Sequence, residues 1–149
     1  MLTENARPFD ILLVEDEPSD AKLVRSALKE SRVLCNLHHV VDGIEAFAFL
    51  RREGEAYSGK PQPDLILLDL NMPRMNGREF LAAIKTDSVL SSIPVVVLTT
   101  SDVERDVVAS YKLGAAGYIT KPVDMEQFIE AVRQIGNYWF TLTRLPVKE

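Results

Sequence analysis

One cysteine and no long apolar run are the first limits this chain sets. Cys35 cannot form an internal disulfide, so no oxidised framework holds the fold, and its place before an expected strand makes a buried structural thiol the expectation. The first residues, Met1-Leu2-Thr3-Glu4-Asn5-Ala6-Arg7-Pro8, show neither the charged-then-apolar pattern of a signal peptide nor a bilayer-length stretch, which points to a cytoplasmic protein without a membrane span. Basic residues form no clustered stripe and the formal charge is −5, which argues against a nucleic-acid footprint. No glycine-rich turn follows the first apolar run, as a nucleotide- or flavin-binding module would require. Glu15-Asp16-Glu17-Pro18 stands there instead and would repel phosphate unless a cation intervened. Repeats and low-complexity tracts are absent. The two histidines, His38 and His39, are adjacent, and neighbours on a strand point to opposite faces, so they cannot converge on one ion.

What is present reads as one domain. A chain of 149 residues, 46% hydrophobic and 26% charged, can bury a single sizeable core and leaves no room for a second. Apolar runs alternate with helical patterns, which implies a doubly wound α/β sandwich with five strands. The runs are Ile11 to Val14, a weaker one from Leu34 to Val40, Leu65 to Leu68, Ile93 to Leu98 and Gly117 to Thr120. Between them, Leu23, Val24, Ala27 and Leu28 form the apolar stripe of a first helix opening near Pro18. Ala46, Phe47, Phe49 and Leu50 mark a second helix after Asp42-Gly43, and Phe80, Leu81 and Ile84 a third after Asn76-Gly77. Val103, Val107, Val108 and Tyr111 mark a fourth, ended by Gly114. Met125, Phe128, Ile129, Val132 and Ile135 mark a fifth, capped by Asp124. Glu53 to Pro63, rich in glycine and proline, reads as a polar loop of unusual length, a tolerated insertion.

The strand ends carry the chemistry. Leu65-Ile66-Leu67-Leu68 is a run of the kind covered on both faces of a parallel sheet, and it ends in Asp69. Open sheets of this kind bind ligands beyond the carboxyl ends of their strands, so Asp69 is a candidate nucleophile or metal ligand. Ile11 to Val14 ends in Glu15-Asp16-Glu17. Alone, that triplet reads as a solvated turn with a helix N-cap. Beside Asp69 it forms a set of acids that repel one another and raise each other's pKa until a cation neutralises them. Mg2+ suits so small an acidic nest, because it takes one or two carboxylates and keeps several waters. The fourth run ends in Thr99-Thr100-Ser101 and the fifth in Lys121-Pro122. Acid pair, lone aspartate, hydroxyl and ammonium together are what phosphoryl transfer to a carboxylate needs, since that chemistry is mostly positioning and electrostatics.

These residues resemble the receiver domain of two-component response regulators. The resemblance spans about residues 10–137 and rests on Val14-Glu15-Asp16, Asp69-Leu70-Asn71-Met72-Pro73 with Asn76-Gly77, Leu98-Thr99-Thr100-Ser101, and Gly117-Tyr118-Ile119-Thr120-Lys121-Pro122, in that order. It implies a flavodoxin-like, CheY-like fold: a parallel sheet in the order 2-1-3-4-5 with five helices, flanked here by a leader over 1–9 and an extension over 138–149, with no effector domain. It also implies Asp69 as phosphoacceptor for a sensor histidine kinase. Glu15, Asp16, Asp69 and the Asn71 backbone carbonyl would be ligands for Mg2+, and Thr99, Tyr118 and Lys121 the groups that stabilise phosphate and switch. Pro122 would follow a cis bond. Glu15 stands where the family commonly has aspartate, and its longer arm leaves metal affinity open. Turnover would be limited to self-dephosphorylation, so the chain is a phosphoacceptor and not an enzyme.

Output falls to the tail, where Tyr138, Trp139, Phe140, Leu142 and Leu145 crowd the last residues. Such a segment docks on its own core or marks an interface. It resembles the tails of stand-alone regulators paired with cyanobacterial and bacterial phytochrome kinases. That implies a phytochrome partner and a homodimer joined through the fourth helix, fifth strand, fifth helix and tail. An enzyme of the haloacid-dehalogenase type also forms an aspartyl phosphate with Mg2+. It would want its nucleophile on the first strand and a second acid two residues on, where this chain has Asn71. A degenerate receiver used as a docking scaffold would leave carried-over positions empty, and all are filled.

Overall fold

Alternation along each strand decides which helix a side chain meets. The computed structural model describes residues 9–30, 34–72, 74–100, 103, 106 and 113–135. In chain order these form β1 (Phe9–Val14), α1 (Pro18–Glu30), β2 (Cys35–Val40), α2 (Gly43–Leu50), β3 (Leu65–Asp69), α3 (Gly77–Ile84), β4 (Val95–Thr99), β5 (Gly117–Thr120) and α4 (Met125–Ile135). All pairings are parallel, in the order β2-β1-β3-β4-β5. Ile11, Leu13, Leu65, Leu67, Val96, Leu98 and Ile119 form one face and pack with Ala21, Val24, Ala27 and Leu28 of α1 and Phe128 and Ala131 of α4. The alternate residues Leu12, Val14, Ile66, Leu68, Val95 and Val97 form the other, under Ala46, Phe47 and Phe49 of α2 and Phe80, Leu81 and Ile84 of α3. Helices on both faces bury β3 and β4 throughout and β1 except at Asp10, which is why Ile11 to Val14, Leu65 to Leu68 and Val95 to Leu98 read as continuous apolar runs.

Helix ends follow local chemistry. Pro18 is the first residue of α1, and Asp124 Oδ1 accepts from the Gln127 amide at 2.9 Å to start α4. Asn76 and Glu79 close a reciprocal capping box on α3, with bonds of 2.9 and 3.1 Å. Of the predicted fourth helix, Val103 and Asp106 are helical and the remainder lies outside the described residues.

Four expectations need correction. Leu23 and Met125, placed on apolar stripes, are exposed, because Ala21 and Phe128 are the residues of those turns that face the core. Cys35 is the first residue of β2 and only half-buried, packed at the margin of the core; burial, with the nearby Asp10 charge, pushes its thiol up. The segment after α2 is not a plain loop. Gly54–Tyr57 forms a helical turn, and Tyr57 docks it by donating to Glu45 Oε1 at 2.9 Å and by an edge contact with Phe49, ring centroids 5.5 Å apart. An aromatic anchor hidden among polar residues escapes a pattern search.

Asp42 joins two connections that flank the sheet edge. It is 2% exposed and caps α2 by accepting from the Glu45 amide at 2.9 Å. Its other oxygen accepts from Arg74 Nε at 2.6 Å. Burial alone would raise its pKa, but the Arg74 guanidinium and the Glu45 amide outweigh that and hold it below the usual carboxylate range. A carboxyl depressed by folding stabilises fully above about pH 4 and loses that contribution as pH falls through its folded value. Asp42→Ala should therefore cost about 2 kcal/mol at pH 7 and less at pH 3, read from urea unfolding at both values. Equal losses at the two pH values would count against the ion pair as the cause.

Candidate functional site

β2 is added on one side of β1 and β3 on the other, so the strand order reverses between β1 and β3 and a crevice opens beyond their carboxyl ends. Register then places the acids. Val14 pairs with Leu68, so Glu15 and Asp69 leave the sheet side by side. Both continue the alternation of Ile11, Leu13, Leu65 and Leu67, and therefore face α1. Oxygens of Glu15, Asp16 and Asp69 lie within 4.8 Å of one another. Glu15 is 0% and Asp69 3% exposed.

Lys121 follows β5 on the same face. Its Nζ lies 2.9 Å from Glu15 Oε1, 3.0 Å from Asp69 Oδ1 and 2.9 Å from Asp20 Oδ2. Burial alone would lower the ammonium pKa, yet the three carboxylates outweigh it and hold it above the ordinary lysine range. Burial raises Glu15 to about 7, with the Asp69 charge adding to it and Lys121 opposing. Glu15 Oε2 accepts from the Glu17 amide at 3.1 Å. Its Oε1 is fully buried, and the Lys121 ammonium faces it at 2.9 Å. Three converging carboxylates that share one ammonium form an all-oxygen acidic set, and it fits a hard divalent cation, Mg2+ among them.

Thr99 and Tyr118 go to the opposite face. Alternation puts Thr99 with Val95 and Val97, and Tyr118, paired with Val97, packs half-buried on that same cluster. Thr99 is 0% exposed, and its Oγ1 has no hydrogen-bond partner among the described residues. Asn71 and Asp16 line a groove of about 430 Å³ with Leu70, Met72, Asn76 and Arg78. The Lys121–Pro122 bond is cis. The tail residues Tyr138, Trp139, Phe140, Leu142 and Leu145 lie outside the described residues.

Sequence reasoning missed Asp20, whose partner is 101 residues away, so no local pattern could reveal it. The histidines behave as alternation predicts and take separate partners. His38 Nε2 lies 3.1 Å from Asp10 Oδ1. His39 Nε2 lies 2.7 Å from the Glu15 carbonyl oxygen, which can only accept, so this nitrogen carries the proton. Among the described residues no helix is long and apolar enough to cross a membrane.

The family model described as "Response regulator receiver domain" matches residues 11–133. The response regulator Rcp1 of Synechocystis sp. is 46% identical over 98% of this chain and 99% of its own length. A solved structure of Rcp1 in its Mn2+-bound form superposes with a TM-score of 0.68 at 45% identity, covering 94% of this chain and 100% of that one. The bacteriophytochrome response regulator RtBRR gives a TM-score of 0.83 at 39% identity, over 95% of this chain and 83% of that one. The phosphorylated cyanobacterial phytochrome response regulator RcpA gives 0.73 at 46% identity, over 94% and 99%.

Proposed function

The chain belongs to the response regulator receiver domain family, and on that premise we propose that Asp69 accepts a phosphoryl group from a sensor histidine kinase. The observation that carries this reading is the convergence of Glu15, Asp16 and Asp69 within 4.8 Å, beside the Lys121 ammonium at 3.0 Å from Asp69. Glu15, Asp16, Asp69 and the Asn71 carbonyl hold Mg2+. Once bound, the cation offsets negative charge on the carboxylates and the phosphoryl oxygens. An Asp69 oxygen attacks phosphorus as the P–N bond of the phosphohistidine breaks and the imidazole leaves with the electron pair. Lys121 pairs with a phosphoryl oxygen, and Thr99 donates its hydroxyl proton to another. Drawing Thr99 inward vacates space on the face it shares with Tyr118, and the ring follows, shifting a two-state surface. Loss of the phosphoryl group is slow self-hydrolysis and no other turnover is required.

RtBRR is a bacteriophytochrome response regulator and RcpA a cyanobacterial phytochrome response regulator, and both support phytochrome kinases as the partner class. The receiver unit spans 10–137, and 138–149 serves association. Together with the predicted fourth helix, β5 and α4 it joins two copies in the cytoplasm. Incubating the protein with acetyl phosphate, with and without Mg2+, and reading intact mass tests the core of this. One phosphoryl group should appear only with Mg2+ and only in wild type, with Asp69→Asn unchanged. Modification of Asp69→Asn to the same extent would remove Asp69 as acceptor.

A further inference from the structure

We infer that Asp20 is a positioning residue for the Lys121 ammonium, drawing it toward α1 so that Glu15 and Asp69 stay open to a divalent cation. This rests on the reading of the acidic cluster given above. An ammonium has three protons to distribute, and three carboxylates surround this one. The contact with Asp20 Oδ2, at 2.9 Å, has hydrogen-bond geometry. Glu15 Oε1 and Asp69 Oδ1 lie as near the nitrogen, at 2.9 and 3.0 Å, and share its charge as ion pairs. One proton is thus directed to a residue outside the metal-ligating set, and Glu15 and Asp69 share the other two.

Placement in the fold supports this. Asp20 sits in the first turn of α1, on the helix that covers the face from which Glu15 and Asp69 emerge. Its side chain is 31% exposed, against 13% for Lys121 and 0% for Glu15. Its own charge is therefore the best hydrated of the three and the least costly to keep beside a lysine. Without Asp20, the proton it takes turns to Glu15 or Asp69. Lys121 then competes with the cation for the same oxygens. Asp20 thereby acts on the metal site through Lys121, much as an outer carboxylate orients a ligand without touching the metal.

Mn2+ is a suitable probe, its free concentration followed by electron paramagnetic resonance. Asp20→Asn should bind Mn2+ about tenfold more weakly than wild type. In a Lys121→Met background, which lacks the competitor, the same substitution should change affinity by less than about twofold, because a double-mutant cycle removes the shared partner. Urea unfolding of each variant accompanies the titration. Equal losses in both backgrounds would show a long-range charge effect and overturn the inference, as would unchanged affinity in Asp20→Asn alone or a loss that merely tracks a lowered unfolding midpoint. Wild-type protein that binds no Mn2+ would overturn the reading of the site itself, and the inference with it.

Discussion

Lys121→Met should be among the most destabilising single substitutions in this protein, and the loss should depend on pH and on Mg2+. The ammonium stands within 3.0 Å of Glu15, Asp20 and Asp69, and two of those acids are almost wholly buried. Removing one partner of a buried charged group costs about 3–5 kcal/mol, because the remaining charge has neither water nor a counterion. Methionine keeps the length of the stem, so the loss isolates the charge. The protein can relieve the strain in one way, by protonating Glu15, already raised to about 7 in the wild type. A carboxyl whose folded pKa lies above its unfolded value binds more protons in the native state. Stability then rises as pH falls through the window between the two. Losing Lys121 removes an opposing influence and moves that window upward. The deficit of Lys121→Met should thus be greatest near pH 8 in EDTA, shrink toward pH 6, and shrink again when Mg2+ is added at pH 8. Urea unfolding under those three conditions reads it directly. A deficit indifferent to pH and Mg2+ would assign the role of Lys121 to its aliphatic stem.

Gly77→Ala should damage the site as much as the fold. A Cβ at this position would meet the backbone oxygen of Asp69 and come within 2.7 Å of Leu70 Cα. Neither atom can rotate away as a side chain can, so α3 must shift from the end of β3. The Gly77 amide also donates to the Leu70 carbonyl at 3.0 Å, which ties the same two segments. Overpacking of this kind costs about 3 kcal/mol, and the displaced backbone is the one that carries Asp69. Gly59→Ala is the matched control. Gly59 has φ of +80°, and a Cβ added there would meet nothing within 4 Å among the described residues, so alanine there should cost about 1 kcal/mol of backbone strain alone and leave the site intact. Thermal unfolding with Mn2+ titration separates the two: Gly77→Ala should lose both stability and Mn2+ affinity, Gly59→Ala only a little stability. A Gly77→Ala protein with wild-type affinity would show that the close approach is not needed to set Asp69.

Both substitutions act where local pattern and long-range packing meet, and that boundary separates what was legible from what was not. Glu15, Asp69, Thr99 and Lys121 were all legible, because each closes an apolar run and a doubly wound sheet gathers the ends of its strands. The helices were legible by periodicity wherever the stripe was wide. Leu23 and Met125 failed because they lie at the edges of their stripes, where the curvature of the sheet decides exposure and period does not. Tyr57 failed because one aromatic among glycines and charges carries no period.

Acidic and basic residues beyond the strand ends failed for a different reason. Asp42 reads locally as the cap before Gly43, but its bond to Arg74 spans 32 residues. Asp20 reads as a first-turn acid of a surface helix, but it meets Lys121 across 101 residues. Sequence by itself determined which residues stand at the strand ends, where helices start and the class of fold, because these follow from the steric period of the backbone and from hydrogen bonds made within a few residues. Tertiary structure alone decided the partners of Lys121 and the burial of Glu15 and of the Thr99 hydroxyl. Those depend on which strands lie side by side and in what register, and that is settled by packing the two faces of the sheet at once.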